Sequence, residues 1–178
     1  MRPLIYILCC FYAISSYAQD DDDTSATFKL SEIALIDLAS NNTPVTLNVM
    51  APDDAGEKAI IVATNNDKWI NFSSAVIAGK SRSISIQMEA GQAAPSGIYL
   101  KLSTATVAGI GKGKLGSPSG ILTLSSTPQT IVSGIGGAYT GDGNNGYKLT
   151  YSLEIYDYKL LDFDQSAELS ITLTLSDL

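Results

Sequence analysis

Histidine is absent from the 178-residue chain, and its only two cysteines, Cys9 and Cys10, are neighbours near the N-terminus. A serine hydrolase triad therefore has no imidazole to act as its general base. If the segment that holds both cysteines is removed during export, disulfides, thiol nucleophiles and Cys/His metal sites are excluded as well. The composition thus leaves little of the usual catalytic chemistry.

A hydrophobic run of membrane length is also missing, since the N-terminal apolar stretch, residues 4–14, is too short for a convincing span. This stretch follows Arg2 and precedes the small residues Ser16 and Ala18, an order typical of a secretory signal peptide. We predict that residues 1–18 are a signal peptide cleaved after Ala18. The mature protein would then be secreted, to a periplasm, the outside or the cell surface. Lipidation of either cysteine is the alternative, which their bulky neighbours disfavour.

Positive charge is scarce, with 11 Lys and Arg against 18 Asp and Glu and a formal net charge of −7. Removal of residues 1–18 would take away one more positive charge, Arg2, and no acid. Nucleic acid and anionic membranes bind basic faces, so we expect neither as a partner. Residues 19–27 include four consecutive aspartates. They predict a solvated, flexible acidic arm, with a cation-binding arm as the alternative.

Apolar and polar residues alternate with a period of two along much of the remaining chain, which is typical of strands with one buried and one solvated face. The alternation is clearest over residues 147–155 and 169–175. Further strands are predicted around residues 28–36, 45–49, 59–63, 69–72, 84–88, 98–102, 121–124 and 129–133.

About nine short strands separated by turn signals predict one all-β domain over residues 28–178. The expected architecture is an antiparallel Ig-like β-sandwich, because long helix-forming stretches are missing. A small barrel is the alternative.

Two glycine-rich segments carry patterns that suggest ligand sites. Residues 111–116 match the spacing of a dinucleotide-binding motif, but that motif needs a helix directly after it, and residues 117–120 begin none. Residues 140–146 offer Asp142 and Asn144 as oxygen donors for calcium, but the EF-hand spacing fails and Asn and Gly favour a tight turn. We therefore predict two loops, no cofactor and no metal.

Paired carboxylates are the remaining route to hydrolysis. Glu154, Asp157, Asp162 and Asp164 form the densest acidic group, and a glycosidase needs two acids that flank a cleft. The alternation places Glu154 on the solvated face of its strand, and the other three fall in a polar loop. We predict that the protein is not an enzyme. An acid-pair hydrolase ranks below the two non-enzymatic hypotheses that follow.

Aromatic rings on the surface could stack on sugars. We predict that Tyr99, Tyr156 and Tyr158 are exposed, which makes them the candidate residues of a carbohydrate platform. Trp69 and the Tyr147 face of its strand are expected in the core. A secreted carbohydrate-binding module with a glycan partner is therefore the alternative function.

The C-terminal third has a recognisable order of elements. Residues 137–143, which read Gly-Ala-Tyr-Thr-Gly-Asp-Gly, precede the 147–155 strand, a loop and the closing strand 169–175. This order resembles the end of secreted fimbrial subunits of the chaperone–usher type. The resemblance implies an Ig-like sandwich and a surface or appendage protein.

The leading hypothesis is accordingly an exported, non-enzymatic surface structural or adhesion protein of fimbrial-like type. Its expected partners are further copies of itself or other surface proteins. The alternating side chains of Ala26, Phe28 and Leu30 are the candidate contacts of an assembly arm with a neighbour.

Overall fold

The computed structural model describes residues 27–39, 43–64, 67–162 and 164–178. The chain divides into two compact units, Met1–Ser31 and Glu32–Leu178. In the first unit, the described residues 27–31 have no regular secondary structure. The predicted signal peptide, residues 1–18, lies outside the described residues. Residues 19–26 of the predicted arm, which include Ala26, lie outside them as well.

The second unit is all-β: its described residues form thirteen strands and one short 3-10 turn, Tyr158–Leu160. Nine of the strands have five residues or more, and four have two or three. No helix in the described part of the chain is long and apolar enough to cross a membrane. The strands are β1 (Ile33–Ala39), β2 (Thr46–Met50), β3 (Ile60–Thr64), β4 (Asp67–Ala75), β5 (Arg82–Met88), β6 (Ile98–Thr104), β7 (Lys112–Gly113), β8 (Ser117–Pro118), β9 (Ile121–Thr123), β10 (Gln129–Ile135), β11 (Ala138–Tyr139), β12 (Tyr147–Ile155) and β13 (Ile171–Asp177).

Every strand pair within the described ranges is antiparallel, and the pairs form three sheets. The largest has seven strands. Six follow the order β7-β11-β4-β12-β6-β9, and the seventh, β1, also pairs with β4. The second has four strands in the order β13-β5-β10-β8, and the third is the hairpin of β2 and β3. The antiparallel all-β class that the alternation predicts is confirmed.

Strand β12 shows how the alternation produces the fold. Tyr147, Leu149 and Tyr151 are buried, whereas Ser152 and Glu154 on the opposite face are exposed. In β13 the isoleucine and leucines are half-buried and the residues between them are exposed. Each strand therefore turns one apolar face to the interior, as period-two sequences do.

One hydrophobic core receives side chains from both larger sheets. Strands β4, β6 and β12 contribute from the seven-stranded sheet, and β5 and β10 contribute from the four-stranded sheet. Val45 and Leu47 of the hairpin segment pack against the same core. The largest fully buried apolar side chains are Ile70, Ile84, Ile86, Leu102, Ile131, Val132, Ile135, Tyr147 and Leu149.

Two expectations at the level of single residues are wrong. The alternation of Phe28 and Leu30 does not form a strand, and β1 begins only at Ile33. Trp69, expected in the core, is partly exposed, because its neighbour Ile70 takes the inward position and the pleat turns Trp69 to the other face.

A buried arginine joins the start of β1 to the end of β13. Arg82 opens β5 and is 3% exposed. Its Nε donates to Asp177 Oδ1 at 2.6 Å, its Nη2 donates to the Glu32 carboxylate, and its Nη1 donates to the Ile33 carbonyl oxygen. Charge-assisted hydrogen bonds of this kind are stronger than neutral ones. One side chain thus connects an edge strand of each larger sheet.

Candidate functional site

Two of the three candidate tyrosines meet on the outer face of the seven-stranded sheet. Tyr99 lies in β6 and Tyr156 directly follows β12, and their ring centroids are 4.1 Å apart with the rings 17° from parallel. The residues are 40% and 46% exposed. Because each ring covers one face of the other, the pair offers a single outer ring face on each side rather than a flat two-ring platform.

A lysine–glutamate pair lies beside the stacked rings. Lys101 Nζ is 2.8 Å from Glu154 Oε2 and 5.6 Å from the centroid of the Tyr99 ring. The register explains this grouping, since Tyr99 stands opposite Glu154 and Lys101 is two residues further along β6. The surface therefore combines an aromatic face with a charged donor and a charged acceptor, groups that can orient a polar ligand.

Tyr158 lies beyond the stack, at the start of the 3-10 turn, and is 51% exposed. The turn is capped by Asp157, whose carboxylate accepts the backbone N–H of Lys159 at 2.9 Å. The structure therefore unites Tyr99 with Tyr156 and leaves Tyr158 on the adjoining turn.

The four acids of the hydrolase hypothesis occupy separate environments. Glu154 is exposed and paired with Lys101, and Asp157 caps the turn. Asp162 and Asp164 are exposed, and Asp164 has the positive φ of 68° that Asp tolerates better than most residues. The carboxylates of Glu154 and Asp157 thus have partners within the fold.

A second ion pair lies further along the same face. Asp67 accepts from Lys148 Nζ at 2.7 Å and from Thr150 Oγ1 at 2.6 Å. These hydrogen bonds, that of Lys148 first, hold the pKa of Asp67 below its usual value against the smaller opposing effect of burial. Both charged side chains remain well exposed to solvent. The pair therefore adds surface charge and contributes little stability.

The glycines of residues 111–116 serve strand packing. Strand β7 lies within this segment and pairs with β11, and the residues that follow it form β8 instead of a helix. Gly113 has a φ of 95°, and a Cβ there would collide with the carbonyl oxygen of Gly137. The helix that a dinucleotide motif requires is replaced by a strand at this position.

The second glycine-rich segment is a loop that bends at residues 142–144 and is stabilised by its own side chains. Asp142 Oδ1 accepts the backbone N–H of Gly143 at 2.7 Å, and the Asn145 side chain donates to the Asp142 carbonyl oxygen. Gly146 has a φ of 92°, and a Cβ there would meet the carbonyl oxygen of Ile70. The segment is therefore a loop, and one carboxylate oxygen of Asp142 is used within it.

An open groove of about 290 Å³ lies where this turn approaches β1 and β4. Asn71 on its wall is 6% exposed, and its Oδ1 is buried with no hydrogen-bond partner. Among the described residues, no group of three or more His, Cys, Asp or Glu could hold a metal ion. The groove is lined by Leu35, Ile36, Asp37, Asn71, Phe72, Ser73, Gly141 and Asp142.

The hairpin of β2 and β3 presents an apolar surface. Met50 is 54% exposed, and Ile60, Ile61 and Val62 of β3 are 41%, 40% and 36% exposed. Strand β3 pairs only with β2 in the part of the chain that the structure describes, so its second edge is open. Exposed apolar strand edges are sites at which another chain can add a strand.

The described residues of the predicted assembly arm are also exposed, since Phe28 is 93% exposed and Leu30 is 81% exposed. Both lie in the unit Met1–Ser31 and outside any strand. The arm therefore presents two large apolar side chains to solvent, as the assembly hypothesis requires, and no contact partner is identified for them within the described residues.

No protein-family model, curated protein or solved structure matches this chain. The class of the protein therefore rests on its fold, an antiparallel all-β domain, and on the surfaces described above.

Sequence reasoning missed two features of these surfaces. It did not group Lys101 with Tyr99, although residues two apart on a strand share a face and would have revealed the pair. It also predicted β3 as a strand without identifying the exposure of Ile60, Ile61 and Val62, because a continuous apolar run has no polar face by which to orient it.

Proposed function

We propose that the chain is an exported, non-enzymatic surface structural or adhesion protein, built as an Ig-like β-sandwich and resembling fimbrial subunits. The observation that carries the proposal is the hairpin of β2 and β3, in which an apolar strand edge is open to solvent. Such an edge binds another polypeptide through backbone hydrogen bonds and apolar side chains. An open strand edge therefore suits a protein that acts by contact with other chains.

The placement of the acids supports a role other than catalysis. Glu154 has Lys101 as its partner and Asp157 caps a turn, so both carboxylates have structural partners. The absence of histidine from the whole sequence removes the most common general base. Binding through surfaces is therefore the function that these residues favour.

The test of export begins with the chain expressed with its own leader in a bacterial host. We expect a product located outside the cytoplasm, with a mass that corresponds to a start at Gln19. Protease accessibility on intact cells then measures surface exposure. A full-length chain retained in the cytoplasm would overturn the proposal.

The assembly arm is tested by removing its apolar side chains. The double substitution Phe28→Ser and Leu30→Ser is expected to reduce the size of the assemblies measured by sedimentation, because both side chains are exposed. Lys29→Ala with Ser31→Ala is the matched control, since it changes the alternate positions of the same segment. Equal assembly size in both variants would remove the role of the arm.

A carbohydrate-binding module is the second candidate function, and the stacked pair of Tyr99 and Tyr156 beside Lys101 favours it. Tyr99→Ala with Tyr156→Ala is expected to abolish binding on a glycan array. Tyr139→Ala, at a residue that is 48% exposed on β11, is the control and should retain binding. Binding that survives the double substitution would eliminate this platform, and Tyr158→Ala shows whether the adjoining turn contributes.

A further inference from the structure

The hairpin of β2 and β3 forms its own two-stranded sheet. Five residue pairs connect the strands, from Thr46 opposite Thr64 to Met50 opposite Ile60. The pleat places Met50, Ile60 and Val62 on one face and Ile61 on the other. Both faces of β3 therefore carry apolar side chains, and among the described residues β2 is the only strand that pairs with it, so its outer edge is open.

The edge of β3 lacks the features that usually protect an edge strand. Residues 59–63 contain no charged residue and no proline, and the pairing of β3 with β2 shows no register shift. The edge strand β1, by contrast, contains Asp37, and the edge strand β13 ends in Asp177. Proteins commonly prevent edge-to-edge pairing with charges, prolines or bulges, so their absence here leaves β3 available to a partner strand.

The sequence of this segment complements itself. Residues 59–63 read Ala-Ile-Ile-Val-Ala, so their side-chain sizes are nearly the same in both directions. In an antiparallel pair of two copies centred on Ile61, Ala59 would face Ala63 and Ile60 would face Val62. Opposite residues of an antiparallel pair share a face, so each large side chain meets a large one and each small one meets a small one.

The hairpin is also held in place. Lys68 Nζ donates to the Thr43 carbonyl oxygen at 2.7 Å, just before β2, and Lys68 is 3% exposed. Val45 and Leu47 pack against the hydrophobic core. A partner strand would therefore meet an edge whose geometry is already set, which reduces the entropy lost on binding.

From these observations we propose that a second copy of this chain binds here, through antiparallel pairing of β3 with β3 about a two-fold axis at Ile61. Two hairpins then form one four-stranded sheet, and the same surface is used on both subunits, as in closed dimers. The dimer extends the proposed function and rests on it, because that function gives the protein a role in contact between chains. A five-residue strand pair is a small interface, so we expect a weak dimer that forms at micromolar concentrations.

Charge substitutions at Ile61 test both the dimer and its register by sedimentation velocity at about 1 to 200 µM, the range for a small interface. Ile61→Lys and Ile61→Glu each place like charges opposite one another on the axis, and each should weaken dimerisation at least about tenfold. An equimolar mixture of the two variants pairs opposite charges and should restore the dimer. Ile77→Lys, at a residue that is 81% exposed outside the hairpin, should dimerise like the unmodified chain.

A covalent test uses the scarcity of cysteine. In a chain that starts at Gln19, Ile61→Cys introduces the only thiol. Antiparallel neighbours lie within the Cα separation that a disulfide spans, so mild oxidation should give a covalent dimer. Ile77→Cys is the control and should give far less. Circular dichroism would reveal a charged variant that fails to fold, and the cysteine variant then still reports whether the dimer forms.

An unmodified chain that stays monomeric over the whole range overturns the proposal and leaves the edge to a different protein or to none. A mixture that does not restore the dimer, or an Ile77→Lys variant that is equally impaired, overturns it as well. The dimer and the exported role are contradicted by different results. A surface-located monomer contradicts only the dimer, whereas an Ile61-dependent dimer confined to the cytoplasm contradicts only the exported role.

Discussion

Burial of tyrosine hydroxyls links individual residues to the stability of the domain. Tyr151 in β12 is 5% exposed, and burial raises its pKa to about 12. Burial also raises the pKa of Tyr147, whose hydroxyl donates to the Leu115 carbonyl oxygen at 3.1 Å. In the unfolded chain both hydroxyls would ionise near their ordinary value of about 10. Folding therefore favours the protonated form of both side chains.

We predict that stability falls at alkaline pH because of these side chains. A group whose pKa is raised by folding stabilises the native state fully below its unfolded pKa, and this stabilisation is lost as pH rises through the folded pKa. For Tyr151 the window is pH 10 to 12, and the loss reaches about 2 kcal/mol by pH 12. Tyr151→Phe should flatten this part of the pH profile of the free energy of unfolding, measured with denaturant.

Tyr139→Phe is the control for the alkaline profile, because solvent reaches that ring in the folded state. It should leave the slope between pH 10 and 12 close to that of the unmodified protein. Equal slopes in the Tyr151→Phe variant and the unmodified protein would show that burial of this hydroxyl does not govern the alkaline limit.

The residues of the aromatic surface show which features the sequence predicts at this scale and which it does not. The exposure of Tyr99, Tyr156 and Tyr158 follows from their alternation with apolar neighbours or their position in a polar loop. The stacking of Tyr99 on Tyr156 does not, because the two are 57 positions apart and meet only through the register of β6 with β12. Pairwise contacts between strands depend on register, which one sequence does not state.

At the scale of elements, the first and last strands depend on a residue that belongs to neither. Arg82 in β5 donates to Glu32 and Ile33 at the start of β1 and to Asp177 in β13. The two carboxylate side chains are 68% and 71% exposed, whereas that of the arginine is 3% exposed. The fold therefore brings the cation inside and leaves its anions at the surface.

We predict that Arg82→Met loosens the ends of β1 and β13. Loss of several charge-assisted hydrogen bonds should lower the free energy of unfolding by about 2–3 kcal/mol. Hydrogen exchange of the backbone amides should accelerate in β1 and β13 more than in β6. Unchanged exchange in both end strands would show that Arg82 does not hold them.

Lys101→Met is the matched control for the arginine, because it removes the cation of the exposed pair with Glu154. Surface ion pairs contribute about 1 kcal/mol or less, so its effect on unfolding should be smaller. Exchange in β1 and β13 should stay at the level of the unmodified protein.

The elements that the sequence predicted poorly are those with no pattern of their own. The two-residue strands β7, β8 and β11 are too short for alternation, and they exist because partner strands align with them. Strand β3 has a pattern, but a continuous apolar one that fits a buried strand as well as the exposed strand of the hairpin. Its exposure depends on which other strands cover it, and among the described residues only β2 pairs with it.

At the scale of the whole domain, two sheets depend on one core. Ile86 in the four-stranded sheet is 1% exposed, and it belongs to the same cluster as Ile70 and Leu102 of the seven-stranded sheet. If either sheet left the core, the apolar face of the other sheet would be exposed to solvent. Small domains with a single core commonly unfold in one cooperative transition.

We predict that Ile86→Ala destabilises both sheets together. The cavity should lower the free energy of unfolding by about 2–4 kcal/mol. Trp69, the single tryptophan, lies in β4 of the other sheet. Its fluorescence transition should therefore shift to lower denaturant together with the circular dichroism signal.

Ile121→Ala removes a side chain that is 73% exposed on β9, and it should change the free energy of unfolding by no more than about 0.5 kcal/mol. If Ile86→Ala left the tryptophan transition in place while circular dichroism changed, the two sheets would be unfolding separately, and the shared core would not couple them.

The sequence by itself determined the all-β class and most strand positions, because alternation with a period of two is a local property of each segment. It also excluded triad chemistry through the absence of histidine, and predicted the turn around Asp142. Only the tertiary structure decided which strands are neighbours, where Arg82 is buried, that Tyr99 stacks on Tyr156, and that β3 pairs with β2 alone among the described strands. The physical reason is that burial and pairing depend on register and on which apolar faces find partners, and these contacts join residues far apart in the chain.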